Sequence, residues 1–339
     1  MIRAFAFFKN FQILFLLSLC LSFTACYKKP PEEKEITLIM AEVNPAETIA
    51  GQTDQAFKHK VEELSEGSLS IDIHFSASLG DVEKIMSMMI SHRSSVHILR
   101  MSAQNLAPYG CNKTALLSIP YTFSNKAHFW SFANSKTAET ILAEPMEIGL
   151  GVKGLFFAEE GFRHFFSVHD ISGVEDFKGL NIRGTNDLAM QGLIKSLNAN
   201  SINVNFVDLY SALQSGTVEV AEQPIANYLA NHFYEVAPYM ILDGHTLGVM
   251  EPIITLEAWN SLSENQQQIL MKAGMYAQDF CRKLSLEEET RVRKHLESLG
   301  VKITDVSDIA PWQEACSDLI KASSAVDSRL YAQILNRAH

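Results

Sequence analysis

The stretch LNIRGTNDLAMQGLIKSLNANSINVNFVDLYSALQSGTVEV, Leu180 to Val220, decides how this chain folds. Leu180–Ile182 reads as a strand, Asp187–Leu197 as a helix and Ile202–Phe206 as a second strand. Asp208–Ser215 follows as a helix with Gly216 at its end, and Val218–Val220 as a further strand. An order β-α-β-α-β builds a parallel sheet with right-handed crossovers. The first strand ends on Arg183. Ligands of open α/β sheets collect beyond the carboxyl ends of the strands, so an arginine there either faces solvent or waits in a cleft for an anion.

The same order occurs earlier in the chain. Ile36–Met40 is strand-like, and the segment after Pro45 carries Ile49, Ala56, Phe57, Val61 and Leu64 at helical spacing before stopping at Gly67. Leu69, Ile71, Ile73 and Phe75 alternate as in a strand. Val82, Ile85, Met86, Met89 and Ile90 return to helical spacing, and Val96–Leu99 is strand-like again. Two such units on one chain predict two lobes. Ser263 with Gln266 forms a capping box, and the helical pattern it opens runs to Leu299-Gly300. At 1.5 Å per residue this helix would be roughly 50 Å long, more than a small domain is wide, and so is expected to run along both lobes.

With 339 residues and 47% hydrophobic content, the chain can bury two ordinary cores. Its start, MIRAFAFFKNFQILFLLSLCLSFTAC, has two cations, an apolar run and small residues before Cys26, the layout of a signal peptide over residues 1–25 whose following cysteine is lipidated. Residues 26–35 then read as a polar, proline-bearing tether. Loss of Arg3 and Lys9 with the signal takes the formal net charge from −11 to −13. That acidity argues against nucleic acid as a partner and leaves the lipid as the membrane link.

Catalytic signatures are scarce. The chain has no G-x-S-x-G, H-E-x-x-H or Cys-x-x-Cys, and neither unit has a glycine-rich phosphate loop. His92, His97, His164 and His169 lack an evident carboxylate helper. Glu159 and Glu160 would face opposite sides of a strand, Glu287–Glu289 read as a solvated helix face, and Met86, Met88 and Met89 as core. Cys111, Cys281 and Cys316 are expected to be buried thiols, with no metal or cofactor implied. The residues that stand out are Arg183 and Arg163, the latter in GFRHFF after an apolar run. A guanidinium at a strand end can take a carboxylate through two parallel hydrogen bonds.

GFR, VEDFKGLNIRG, NVNFVDLYSALQSGTVEVAEQP and FYEVAPYMILDGH, in this order and spacing, resemble the substrate-binding proteins of tripartite ATP-independent periplasmic (TRAP) transporters. SASLGDVEKIMSMM and LLSIPYTFSN resemble that family's earlier blocks. The resemblance implies a type II periplasmic-binding-protein-like α/β fold. Its two lobes would be residues 36–156 with 248–284 and 157–247 with 285–339, joined by a hinge. It implies that Arg183 grips a ligand carboxylate, that Arg163 lies near the same group, and that Asn186, Phe206, Gln223 and Asn44 line the pocket. The partners implied are a small organic acid and the membrane permease subunits of an ion-coupled transporter. Gln223 stands where the family usually has Asn, and Phe165 and Phe166 where a smaller polar residue is frequent. These departures point to a ligand less hydrophilic than a sugar acid. A ligand-responsive sensor of the same fold is the alternative function.

Overall fold

The computed structural model describes residues 35–185 and 187–336; Cys26, the signal segment and most of the tether lie outside the described residues. Ten strands form one mixed sheet: β1 (Ile36–Ala41), β2 (Leu69–His74), β3 (Ile98–Ser102), β4 (Val152–Gly154), β5 (Ala158–Ser167), β6 (Asn181–Arg183), β7 (Asn200–Ser201), β8 (Val220–Pro224), β9 (Tyr239–Thr255) and β10 (Lys302–Asp305). Their order is β2-β1-β3-β9-β5-β8-β6-β7, with β4 and β10 paired to β9. The predicted parallel units occupy the two flanks, β2-β1-β3 on one and β8-β6-β7 on the other. Between them run β5 and β9, long antiparallel strands that belong to neither unit.

The helices that bear on the site are α1 (Ile49–Leu64), α2 (Val82–Ile90), α3 (Lys126–Ala133), α4 (Leu188–Ser196), α5 (Leu209–Gln214), α6 (Ile225–Ala230) and α7 (Glu264–Ser298). Of these α1, α2, α4, α5 and α7 form where the apolar spacing places them, and α3 and α6 are additional. Thr48, Asp81, Asn125 and Asp187 each cap a helix by accepting from a backbone N–H in its first turn. The Ser263–Gln266 capping box opens α7, which runs 35 residues as predicted. From it, Gln278 Nε2 donates to the Phe157 carbonyl at 2.8 Å and Cys281 Sγ to the Glu159 carbonyl at 3.0 Å. Lys126 of α3 reaches Glu289 at 2.9 Å and the Ser285 carbonyl at 2.8 Å. The long helix is thereby fixed to the start of β5. No helix among the described residues is long and apolar enough to cross a membrane.

Several expectations need correction. Ile202–Phe206 is not a strand; β7 is only Asn200–Ser201, and the last backbone bond to the neighbouring strand is from the Ile202 N–H to the Ile182 carbonyl at 2.9 Å. Val96–Leu99 and Val218–Val220 are displaced toward β3 and β8. Glu287–Glu289 is not simply solvated: Glu288 is buried beside Arg291, and Glu289 holds Lys126. Met88 is exposed, whereas Met86 and Met89 are core. Cys111, Cys281 and Cys316 are free, buried thiols, and burial raises the pKa of each.

At the crossing of β5 and β9 the ladder is irregular between Glu159 and Phe162, with Gly161 at φ +98°. Gly248 on β9 faces this bulge. A Cβ there would lie 2.5 Å from Glu160 Cγ and 3.1 Å from the Gly161 carbonyl oxygen. Glu160 is held by two arginines and cannot swing aside. Gly248→Ala is therefore expected to destabilise the fold by about 1–3 kcal/mol, read as a lower midpoint in urea with an unchanged slope.

Candidate functional site

The site is built on buried charges that alternate in sign across the sheet. Arg100 of β3 lies between Glu42, which follows β1, and Glu160 of β5. Its Nε is 3.1 Å from Glu42 Oε2, at an angle too bent for a hydrogen bond, and its Nη2 donates to Glu160 Oε2. Glu160 also accepts from Arg163 Nη1 at 3.1 Å. Arg163 in turn gives Nε and Nη2 to the two oxygens of Glu222 on β8, the second at 2.9 Å. Glu222 faces His245 of β9 at 3.6 Å, and His245 Nδ1 lies 2.7 Å from Asp243 Oδ2. Every one of these side chains is buried.

Such burial demands pairing, because an unpartnered charge in a protein interior costs several kcal/mol. Burial works to raise Glu222, but Arg163 and His245 outweigh it and hold the carboxyl down at about 2. Burial likewise opposes ionisation of Glu160, and Arg100 and Arg163 bring it below its ordinary value. At the Glu42 end the balance reverses: burial raises Glu42, and raises Asp54 beside it further. Burial lowers His164 to about 4 despite Asp243, and its Nδ1 accepts from the Gly244 N–H at 2.9 Å.

Arg183 breaks the pattern. It is buried at the end of β6, yet no carboxylate lies within ion-pair distance of it among the described residues. Its Nε donates to the Val204 carbonyl at 3.0 Å, and its guanidinium lies 6.0 Å from the Phe206 ring centroid. Burial, opposed by Glu222, lowers its pKa. The Gly184 that follows is required by close approach: a Cβ would lie 2.3 Å from Met190 Cγ of α4.

Arg183, Arg163, Phe206, Gln223 and Asn44 line one cavity, together with Arg100, Ser102, Glu160, Thr185 and Asn227, around about 570 Å³ of unfilled space that is partly open to solvent. The sixth residue expected there, Asn186, lies outside the described residues. Arg163 lines the cavity, but its donors are committed to Glu160 and Glu222. Phe165 and Phe166 are not there. Phe165 packs on Phe177, His245 and Trp312, and Phe166 on Tyr228 and Phe233, so the aromatic argument for a less hydrophilic ligand fails. Sequence reasoning missed Arg100, Glu222 and His245. Their one signal is that polar residues interrupt otherwise apolar strands.

Two α/β units joined by β5, β9 and a long helix, with a buried, anion-lacking arginine in a polar cavity, define a two-lobed solute-binding protein. The chain belongs to the bacterial extracellular solute-binding protein family 7, whose model matches residues 40–326, and is a substrate-binding protein of TRAP transporters. It is 27% identical over 273 residues to a solute-binding protein of Roseobacter denitrificans, covering 80% of this chain and 82% of that one. It is 24% identical over 266 residues to the 2,3-diketo-L-gulonate-binding periplasmic protein of Escherichia coli, covering 78% and 80%. The fold superposes on the sugar acid binding protein of Advenella mimigardefordensis in complex with galactonate, with a TM-score of 0.84 at 22% identity over 91% of this chain and 99% of that one. The family serves transport and is not enzymatic.

The charge chain has a pH signature. Burial disfavours the imidazolium of His245, but Asp243 and Glu222 raise its pKa from 6.5 to about 9. A raised histidine contributes stability that is complete below pH 6.5 and is lost as pH rises through about 9. The difference corresponds to at most about 3 kcal/mol. Wild-type protein is expected to lose melting temperature between pH 7 and 9.5, and His245→Gln to start lower and show a flatter profile. Equal slopes in calorimetric scans of the two proteins would refute the assignment.

Proposed function

We propose that this protein captures an organic acid by its carboxylate in a cleft between two lobes, residues 36–156 with 248–284 and 157–247 with 285–339. It would then deliver the acid to a TRAP membrane permease. One observation carries this reading: Arg183 is a buried cation with no carboxylate within ion-pair distance among the described residues, in a cavity where every other arginine is paired. A carboxylate would supply the missing partner. Each charge-assisted hydrogen bond would contribute about 1.5–3 kcal/mol, and micromolar affinity needs about 8 kcal/mol in all, so contacts along the rest of the ligand must supply the remainder. Arg163 braces this geometry, while Phe206, Gln223 and Asn44 line the wall. The relatives support an acid as ligand: one binds 2,3-diketo-L-gulonate and one is in complex with galactonate.

Arg183→Met removes a desolvated charge, so the ligand-free variant is expected to melt no lower than wild type while binding fails by at least about 100-fold, or about 3 kcal/mol. Calorimetric titration with D-galactonate, D-glucuronate and 2,3-diketo-L-gulonate measures this. Unchanged affinity in the variant would remove Arg183 from the site.

The second part of the proposal is that residues 1–25 are cleaved and that Cys26 carries a lipid, leaving residues 26–35 as the tether. TAC before a polar, proline-bearing segment supports it. In an expressing bacterium, the mature protein is expected to partition into detergent and incorporate labelled palmitate. Cys26→Ser should abolish both. A wild-type protein recovered in the aqueous phase without label would sink the lipid anchor and leave the binding function standing.

A further inference from the structure

We propose that Asp54 of α1, which does not line the cavity, is a positioning residue for it: the Asp54 carboxyl carries a proton and donates it to Glu42, and so fixes the grip of Glu42 on Asn44 and Arg100. The proposal rests on the cavity being the ligand site and extends that reading to a side chain behind its wall.

Asp54 stands on the inward face of α1 with Ala50, Phe57 and Val61, and is 1% exposed. An ionised carboxylate in such a place needs donors. Asp54 Oδ2 is buried and has no hydrogen-bond partner among the described residues that could donate to it. The group its side chain meets is a second carboxyl, Glu42, to which it is hydrogen-bonded. Two ionised carboxylates can only accept, so this contact requires a proton between them, as in other acid pairs too close for both to ionise. The charges lead to the same place. Glu42, Asp54 and Glu160 crowd the one guanidinium of Arg100, while Arg163 is divided between Glu160 and Glu222. A neutral Asp54 lessens that excess of negative charge.

The donors decide which acid keeps the proton. Glu42 Oε1 accepts the backbone N–H of Asn44 at 2.6 Å and its Nδ2 at 3.0 Å, and Arg100 Nε stands 3.1 Å from Oε2. Both favour an ionised Glu42. Asp54 has no comparable donor at Oδ2; burial, followed by the charge of Glu42, raises its pKa well above the ordinary value. With Oε1 filled, the Asp54 proton goes to Oε2. One proton then completes two buried oxygens, Asp54 Oδ2 and Glu42 Oε2, that are otherwise without a hydrogen bond. It also accounts for the bent approach of Arg100 Nε, because an Oε2 that accepts from Asp54 is turned away from the guanidinium. Asn44 lines the cavity and is held by Glu42, so its place in the wall depends on Asp54.

Infrared difference spectroscopy of ligand-free wild type against Asp54→Asn at pH 7 tests the proton. Asparagine keeps the shape and an N–H donor toward Glu42 but has no acid proton. The variant is expected to lose one C=O stretch of a protonated carboxyl; loss of a carboxylate stretch instead would overturn the proposal. Glu251, buried without hydrogen-bond partners among the described residues and raised in pKa by burial, supplies a protonated reference band in both proteins. Calorimetric titration with D-galactonate, D-glucuronate and 2,3-diketo-L-gulonate tests the positioning. Asp54→Asn is expected to bind within about threefold of wild type, and Asp54→Leu, similar in size but without a donor, at least about tenfold more weakly. Equal losses in the two variants would make Asp54 a packing residue, and wild-type affinity in Asp54→Leu would show that Glu42 needs no such support. Either result overturns the positioning role. Failure of all three acids on wild type would instead refute the carboxylate reading, and the infrared spectrum would still decide the proton on Asp54.

Discussion

The run of buried charges from Glu42 through Arg100, Glu160, Arg163 and Glu222 to His245 and Asp243 is the constraint on which this molecule depends. Its members sit on or beside β1, β3, β5, β8 and β9, so it crosses the sheet from one parallel flank toward the other. Burying so many ions is unfavourable unless each has its counter-charge, and replacing such a chain with apolar residues often costs nothing in stability. A role in specificity accounts for its presence better than a role in stability. Glu42 holds Arg100 and Asn44, and Glu160 holds Arg100, Arg163, Ser102 and Asn227, so this part of the cavity wall is set before a ligand arrives. Gly248 exists to leave room for Glu160, which makes even a backbone position in β9 answer to this chain.

Against that background the state of Arg183 gains meaning. Arg100 and Arg163 are more deeply tied into the chain and their pKa values are raised by their acids, whereas burial lowers that of Arg183. An arginine side chain is not deprotonated in proteins, so Arg183 stays a cation with no carboxylate within ion-pair distance among the described residues. Electrostatic interactions are stronger in such a desolvated setting than in water. The acidic balance of the chain makes this local cation more selective, because anions are not attracted to the protein at large.

The parallel units were legible in the sequence because local periodicity writes them: α1, α2, α4 and α7 follow apolar spacing, and the capping box at Ser263 marks the start of α7. Arg183 was legible from its place at a strand end and from the family motif. β9 was not. Its 17 residues are buried on both faces for most of their length, so no alternation marks them, and its pairing with β5 is a long-range choice. Arg163 shows the same limit. Its sequence position resembles Arg183, and only the tertiary pairing with Glu222 separates a bracing arginine from one with an open coordination. Phe165 and Phe166 mislead for a related reason: a strand displays both faces, and both of theirs are core.

The division between paired and unpaired arginines also bears on how closure is driven. A ligand shifts a conformational equilibrium only by its differential affinity for the two states. In the charge chain each ion has a counter-ion within 4 Å, so the chain offers a carboxylate less to gain than Arg183 does. Arg183 is different: it is a buried cation with no carboxylate within ion-pair distance among the described residues. On the proposed carboxylate role, a ligand that pairs with Arg183 would favour whichever arrangement of the lobes keeps that pair out of water, because the pair is stronger where it is desolvated.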